Sequence, residues 1–279
     1  MSAPSVRSLP LRILPLPMLL ARGGGLGGRG SARLIERHAR AYRHAWLVLI
    51  SGFFEPLFYL LSIGLGLNHL VGHLPIDGRS IPYTDYVAPG LLASSAMNGA
   101  IFDATFGIFF KLKIAKTYDA VLATPLGVRD VAIGELSWSL IRGTAYSIAF
   151  LVVMAALGLI ASWWAVLCLP AAMLVSFAFG GAGMFGTCYM RSWQDFDLVS
   201  LAIVPLFLFS GVFYPLSLYP GWLRIVVTLT PLYQGVALLR GLDSGVLGPV
   251  LLVHACYLGL LGAVGLVGAS RRLGRLLLP

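Results

Sequence analysis

The chain has 279 residues, 58% of them apolar and 11% charged, with a mean hydropathy of +0.86, whereas soluble domains carry about 45–50% apolar and about 25% charged residues. A soluble fold of this length could not cover that much apolar surface, so the composition excludes a water-soluble globular domain and makes lipid the solvent. The net charge of +9 sits in short segments beside apolar runs, which is a membrane-orientation pattern and argues against nucleic-acid binding.

In chain order, Leu11 to Leu20 is apolar but interrupted by Pro15 and Pro17, and a glycine and arginine tract runs from Arg22 to Arg33. A cleaved signal needs an unbroken apolar core and a small-residue cleavage site, so residues 1–30 are expected to be an uncleaved, disordered basic tail on the cytoplasmic side. Ser31 to Ala45 then has a helical period. Arg33, Arg37, Arg40, Arg43 and His44 share one face, and Leu34, Ile35, His38, Tyr42 and Ala45 the other. Such a helix is expected to lie in the headgroup layer, its arginines toward phosphate and water.

Six apolar runs follow, at Trp46–Leu67, Val87–Phe110, Ala132–Ile160, Trp163–Thr187, Leu198–Val212 and Gly248–Ser270. Most approach the ~20 residues that cross a hydrocarbon core about 30 Å thick, the fifth being short. Sixteen of the twenty Lys and Arg fall before Trp46, in Lys111 to Arg129, at Arg191 and after Ser270. The other side carries Arg79, Arg224 and Arg240, and Arg142 is inside a run. That asymmetry places both termini in the cytoplasm of a bacterial inner-membrane protein. The fold class is therefore all-α and polytopic, with six transmembrane helices.

Four ionisable residues lie within the runs: Glu55, Asp103, Glu135 and Arg142. Glu135 is close enough to an end to be expected to reach water. Glu55, Asp103 and Arg142 fall at one level, about 10–15 Å deep, and charge at that depth demands partners, as a structural pin or on a proton or substrate path. In the fourth run Ala178, Ala182 and Gly186 form a small-residue stripe, with Gly180, Gly181 and Gly183 nearby, suited to helix packing inside the subunit. Cys168, Cys188 and Cys256 lack ligand spacing and read as small hydrophobes.

No Gly-x-x-x-x-Gly-Lys-Ser/Thr loop exists, and no zinc helix or nucleophile elbow. The chain is thus expected not to be an enzyme, and to bind no cofactor or metal itself. Phe53-Phe54-Glu55-Pro56-Leu57-Phe58-Tyr59, Tyr83-Thr84-Asp85-Tyr86-Val87-Ala88-Pro89-Gly90-Leu91 and Tyr118-Asp119-Ala120-Val121-Leu122-Ala123-Thr124-Pro125-Leu126 resemble type 2 ATP-binding-cassette exporter permeases. Ser210-Gly211-Val212-Phe213-Tyr214-Pro215-Leu216, Thr230-Pro231-Leu232-Tyr233 and Leu239-Arg240-Gly241 resemble the nodulation-factor and antibiotic exporter branch. The resemblance spans residues 33 to 275. It implies two permease copies, identical or not, meeting chiefly around spans one and five, above two cytoplasmic ATPases that bind ATP and Mg.

The same resemblance makes residues 213–247 an external pair of short helices dipping into the membrane, with Pro215, Pro220, Trp222, Pro231 and Arg240 in it. The three prolines rule out one continuous helix there. It also makes part of the loop 111–131 the coupling helix seated in the ATPase. Thr117 can cap a helix over Tyr118 to Ala123 and Pro125 ends it, so Tyr118, Val121 and Leu122 are expected to form an exposed apolar knob beside Asp119. The cargo implied is amphipathic, lipid-linked, saccharide or drug-like. Phe53, Phe54, Tyr59, Phe207 and Phe209 would suit it, or face lipid. An ion-coupled secondary transporter and a membrane-embedded transferase or scaffold are the other readings. The first would need paired inverted repeats, which the sequence does not display.

Overall fold

The computed structural model describes residues 29–42, 54, 56–66, 71–76 and 79–277. Phe53, Glu55, most of the first apolar run and the tail up to residue 28 lie outside the described residues. Helix α1 is Arg29–Tyr42, so the helix begins two residues inside the expected tail. A helical piece at 56–66 contains a π-helical stretch, Leu60–Leu65. Strands β1, His73–Ile76, and β2, Arg79–Pro82, pair antiparallel with His73 opposite Pro82. This hairpin was not anticipated, since four-residue strands show little alternation; the available signal was Asp77-Gly78 between them.

Helix α2, Tyr83–Phe102, starts directly after the hairpin. The helix continues beyond it through two π stretches, Asp103–Gly107 and Phe110–Ile114. The second run is therefore helical four residues earlier and later than hydropathy indicated. After it come α3, Thr117–Leu122, and α4, Val128–Ala156. A 3-10 turn at Trp163–Leu167 leads into α5, Cys168–Thr187. Helix α6, Asp195–Phe209, is followed by a short 3-10 turn, Leu216–Leu218. Helices α7, Gly221–Leu229, α8, Pro231–Asp243, and α9, Pro249–Leu277, complete the chain.

Among the described residues, α4, the Trp163–Thr187 stretch and α9 are each long and apolar enough to cross a membrane. Helices α7 and α8 pass that test only together, bent by 84°. The fifth run yields 15 residues of helix, about 22 Å, less than the hydrocarbon thickness. Helix α2 is buried on all sides by α4, α5 and α8, which is why its sequence has no polar face.

Helices α2, α4, α5 and α9 form the bundle, with α8 wedged among α2, α5 and α9. Helices α5 and α9 approach backbone to backbone. A Cβ added at Gly181 would stand 2.5 Å from the carbonyl oxygen of Gly262, and Gly265 faces the same turn. The expected stripe of Ala178, Ala182 and Gly186 is thereby corrected: Ala178 is buried, but a Cβ at Gly186 would meet nothing within 4 Å. The contact face is rotated by one position. Polar side chains tie the helices through backbone carbonyls, with Ser176 Oγ donating to Ala96 O at 3.1 Å and Thr187 Oγ1 to Ala104 O at 3.0 Å.

Two apolar clusters divide the bundle lengthwise. The smaller one, around Ile108, Met184 and Leu273, lies at the end carrying Lys111, Arg191 and Arg271, called here the basic end. Helix α1 is part of it. Leu34 is buried against Gly134 and His38 packs tilted on Trp138 with ring centroids 5.5 Å apart. The apolar face expected to float in the headgroup layer is thus covered by α4, because a protein surface with a glycine notch is within reach.

Candidate functional site

Three places in the bundle draw buried polar groups together, and the first is the intramembrane pair. Asp103 opens the π stretch after α2, and Arg142 faces it from α4. Arg142 Nη1 donates to Asp103 Oδ1 at 2.8 Å, both side chains being only 4% exposed. Arg142 Nε and Nη2 each donate to Tyr146 Oη at 3.1 Å, one turn along α4. The guanidinium also lies 4.9 Å from the centre of the Phe102 ring. So the arginine charge is met by a carboxylate, a phenol and a ring face. Glu55, expected at the same level, lies outside the described residues.

The second place is the basic end. Glu135, expected to reach water, is 4% exposed. Lys111 Nζ donates to its Oε2 at 2.7 Å, and His38 Nε2 is 3.2 Å from its Oε1. One carboxylate therefore joins α1, α4 and the end of the second span. Its correction has a simple cause: α1 folds over the position that hydropathy leaves at the membrane surface.

Helix α3 lies beside this carboxylate. Its start is not capped by Thr117. Lys116 stands at the N-cap in the left-handed region, φ 46°, ψ 35°, and Thr117 is the first helical residue. The short helix closes with Ala123 N donating to Asp119 O at 3.1 Å and Thr124 Oγ1 to Val121 O at 2.5 Å. Pro125 lies in the turn that follows. The expected exposed knob is overturned. Tyr118 is 2% and Val121 6% exposed, in the cluster with Ile108 and Val131, and Leu122 is half-buried against it. What α3 turns outward is Asp119, Ala120, Ala123, Thr124 and Pro125. A six-residue amphipathic helix needs its apolar face covered, and the chain itself covers it.

The third place is the opposite end, where α6 turns over at Gly211, φ +72°. Arg240 on α8 donates through Nε and Nη2 to Tyr86 O at 3.3 and 3.1 Å, and through Nη2 to Gly211 O at 3.0 Å. Its guanidinium stacks 3.7 Å from the Tyr86 ring centre, and Tyr86 Oη donates to Gly211 O at 3.1 Å. Arg240 thereby fastens α8 to α2 and to the end of α6. Sequence reasoning placed Arg240 in this segment without finding that role, because carbonyl acceptors leave no trace in residue type.

Each proline of the segment stands at a helix start, either as N-cap or as first helical residue. Pro215 precedes the 3-10 turn, Pro220 precedes α7 and Pro231 is the first residue of α8. The corner is held by Gln234 Nε2 donating to Thr228 O at 2.5 Å and by Gln234 Oε1 against His254 Nδ1. Trp222 is exposed on α7. Of the aromatics considered for cargo, Tyr59 and Phe207 pack on each other and on Phe213, with Tyr59–Phe207 and Phe207–Phe213 centroids 5.2 Å apart, whereas Phe54 and Phe209 are exposed.

Residues 32–242 match the family described as ABC-2 type transporter. The chain is similar to Nodulation protein J of Sinorhizobium fredii, 32% identical over 208 residues, covering 74% of this chain and 78% of that one. It is likewise similar to Nodulation protein J of Rhizobium meliloti, 30% identical over 75% of this chain and 79% of the relative. The inner membrane transport permease YadH of Escherichia coli is 25% identical over 65% of this chain and 70% of its own length.

Proposed function

Because the chain belongs to the ABC-2 type transporter family, we propose that it is the membrane-spanning subunit of an ATP-driven exporter in a bacterial inner membrane. ATP is bound with Mg and hydrolysed on a separate cytoplasmic ATPase, docked at the basic end, and a second permease copy completes the transport unit. The residues 111–131 carry the contact. The cargo is an amphipathic, lipid-linked, saccharide or drug-like molecule; the name of one relative, a transport permease, supports a transported solute.

One observation carries this reading: α3 is seated by Tyr118 and Val121 on the bundle while Asp119, Ala120, Ala123 and Thr124 project from it. A short helix fixed on one face and bare on the other moves with spans two and three as one body. It can transmit the closing of an ATPase into the membrane. The Asp103–Arg142 pair is buried and tied further to Tyr146 and the Phe102 ring, which supports a structural role for it.

The test follows from the two faces of α3. Asp119→Arg and Ala120→Trp are expected to leave membrane abundance unchanged while lowering ATPase co-purification and export together by at least several-fold. Val121→Asp buries a charge and is expected to lower abundance itself. Export and ATPase binding that survive both outward-face variants would move the contact to Arg191 through Asp197. Export that collapses with an uncoupler while ATP is held constant would replace the ATP-driven reading with an ion-coupled one.

A further inference from the structure

Helix α6 is fastened at its two ends and stands off the bundle between them. At the basic end Phe196 stacks on Phe106 with centroids 4.0 Å apart, and Trp193 packs on Phe109 at 5.4 Å. At the other end Phe207 packs on Tyr59 and Phe213. Phe196 is the one residue of α6 that is buried. Between the fastenings a cleft of about 620 Å³ opens between α6, α5 and the second span. Its walls include Ile101, Phe179, Val199, Ile203 and Leu206, and its floor Gly183 and Gly186.

The cleft has a charged mouth and an apolar depth. Arg191 and Tyr189 line the mouth at the basic end, and the Arg272 guanidinium lies 5.0 Å from the Tyr189 ring centre. Arg191 forms no ion pair among the described residues, and Arg272 Nε has no hydrogen-bond partner. The nearby Asp195 carboxylate feels the Arg191 charge but spends its oxygens on backbone donors. Arg191 N and Ser192 N donate to its Oδ2 at 2.6 and 3.2 Å, bonds that hold its carboxyl below the usual carboxylate range. The exposed rings of Tyr189 and Trp193 set this mouth at the level of a membrane interface. From Asp195 to Leu206 the cleft runs about 16 Å at roughly 1.5 Å per residue. That is about half of a hydrocarbon core ~30 Å thick, so the cleft is one leaflet deep.

We propose that this cleft is a binding site for one acyl chain of an anionic phospholipid, whose headgroup phosphate is held by Arg191 and Arg272. Bare hydrocarbon would satisfy the walls but leave two guanidiniums without an anion at the level where phosphates lie. A second permease copy has a different surface available on the same helix, since Leu201, Val204 and Leu208 are exposed outside the cleft lining. The site needs no ATPase, so it stands or falls separately from the exporter reading.

The test uses the full-length chain in detergent, exposed to phosphatidylglycerol or phosphatidylcholine carrying the same photoreactive group midway along one acyl chain. Phosphatidylglycerol is expected to label the 182–190 and 198–206 segments several-fold more than phosphatidylcholine, and unlabelled phosphatidylglycerol to compete. Arg191→Gln with Arg272→Gln should remove that preference and leave the phosphatidylcholine level of labelling. Gly186→Leu, placed where added atoms meet open space, should keep the elution profile and thermal stability of the parent while cutting labelling by both lipids. Equal labelling by the two lipids, or labelling untouched by Gly186→Leu, would overturn the proposal. So would disulfide capture of a second copy through Ala202→Cys, a position inside the cleft.

Discussion

Buried Arg142 and half-buried Arg240 are neutralised in opposite ways. At mid-depth Arg142 meets a carboxylate, Asp103, on another helix. At the end away from the basic cluster Arg240 meets no carboxylate among the described residues and spends its donors on the carbonyls of Tyr86 and Gly211. A charge pair fails when either member is removed, because the survivor is left charged in a medium that does not solvate it. A guanidinium on carbonyls leaves only dipoles behind, and the carbonyl of Tyr86 is also part of a helix. Loss of the first should therefore be repairable by a second substitution, and loss of the second should not.

The largest expected effect is that of Arg142→Ala, which strands Asp103 and should cost about 3–5 kcal/mol. The thermal midpoint in detergent and membrane abundance should both fall. Asp103→Leu combined with Arg142→Met should recover most of the loss, and exchanging the two residues part of it. Full abundance of Arg142→Ala and Asp103→Ala alone would show that the pair does not hold spans two and three.

Arg240→Ala comes next, at about 2 kcal/mol, set by lost charge-assisted hydrogen bonds rather than by a stranded charge. Arg240→Lys should restore only a part, since an ammonium cannot reproduce the planar fork that reaches two carbonyls while stacking on Tyr86. If some single carboxylate substitution elsewhere rescued Arg240→Ala, the contrast between the two arginines would be lost.

At the basic end, His38→Ala removes one partner of Glu135 and leaves Lys111 in place. About 1 kcal/mol is expected. The informative measurement is proteolysis at α1, which should rise while the rest of the chain stays protected. The smallest effect belongs to Gln234→Ala at the corner of α7 and α8, below about 1 kcal/mol on the same scale. An equal change in cleavage throughout the chain for both variants would mean that the two ends do not melt independently.

How much of this was readable in the residues differs between the places. The Asp103–Arg142 pair was legible because intramembrane charges are few and helix rise fixes their depth. Glu135 was misread, since its cover comes from α1, about a hundred positions away in sequence. The prolines marked the breaks of the 213–247 segment correctly, for proline acts locally on φ. The grip of Arg240 on carbonyl oxygens was invisible, as every residue has a carbonyl and only the fold chooses which are met.

The sequence by itself determined that the described residues form a helical bundle in lipid, and where the second to fifth apolar runs begin and end to within four residues, although the helix of the sixth continues seven residues further, to Leu277. Those follow from hydropathy, because lipid forces each backbone group to bond within its own segment. Tertiary structure alone decided which way faces turn. The apolar side of Thr117–Leu122 is the same string of residues whether a partner or the chain's own helices cover it. Only the notch left by Ile108 and Val131, assembled from two other segments, settles that Tyr118 and Val121 point inward and Asp119 and Ala120 out.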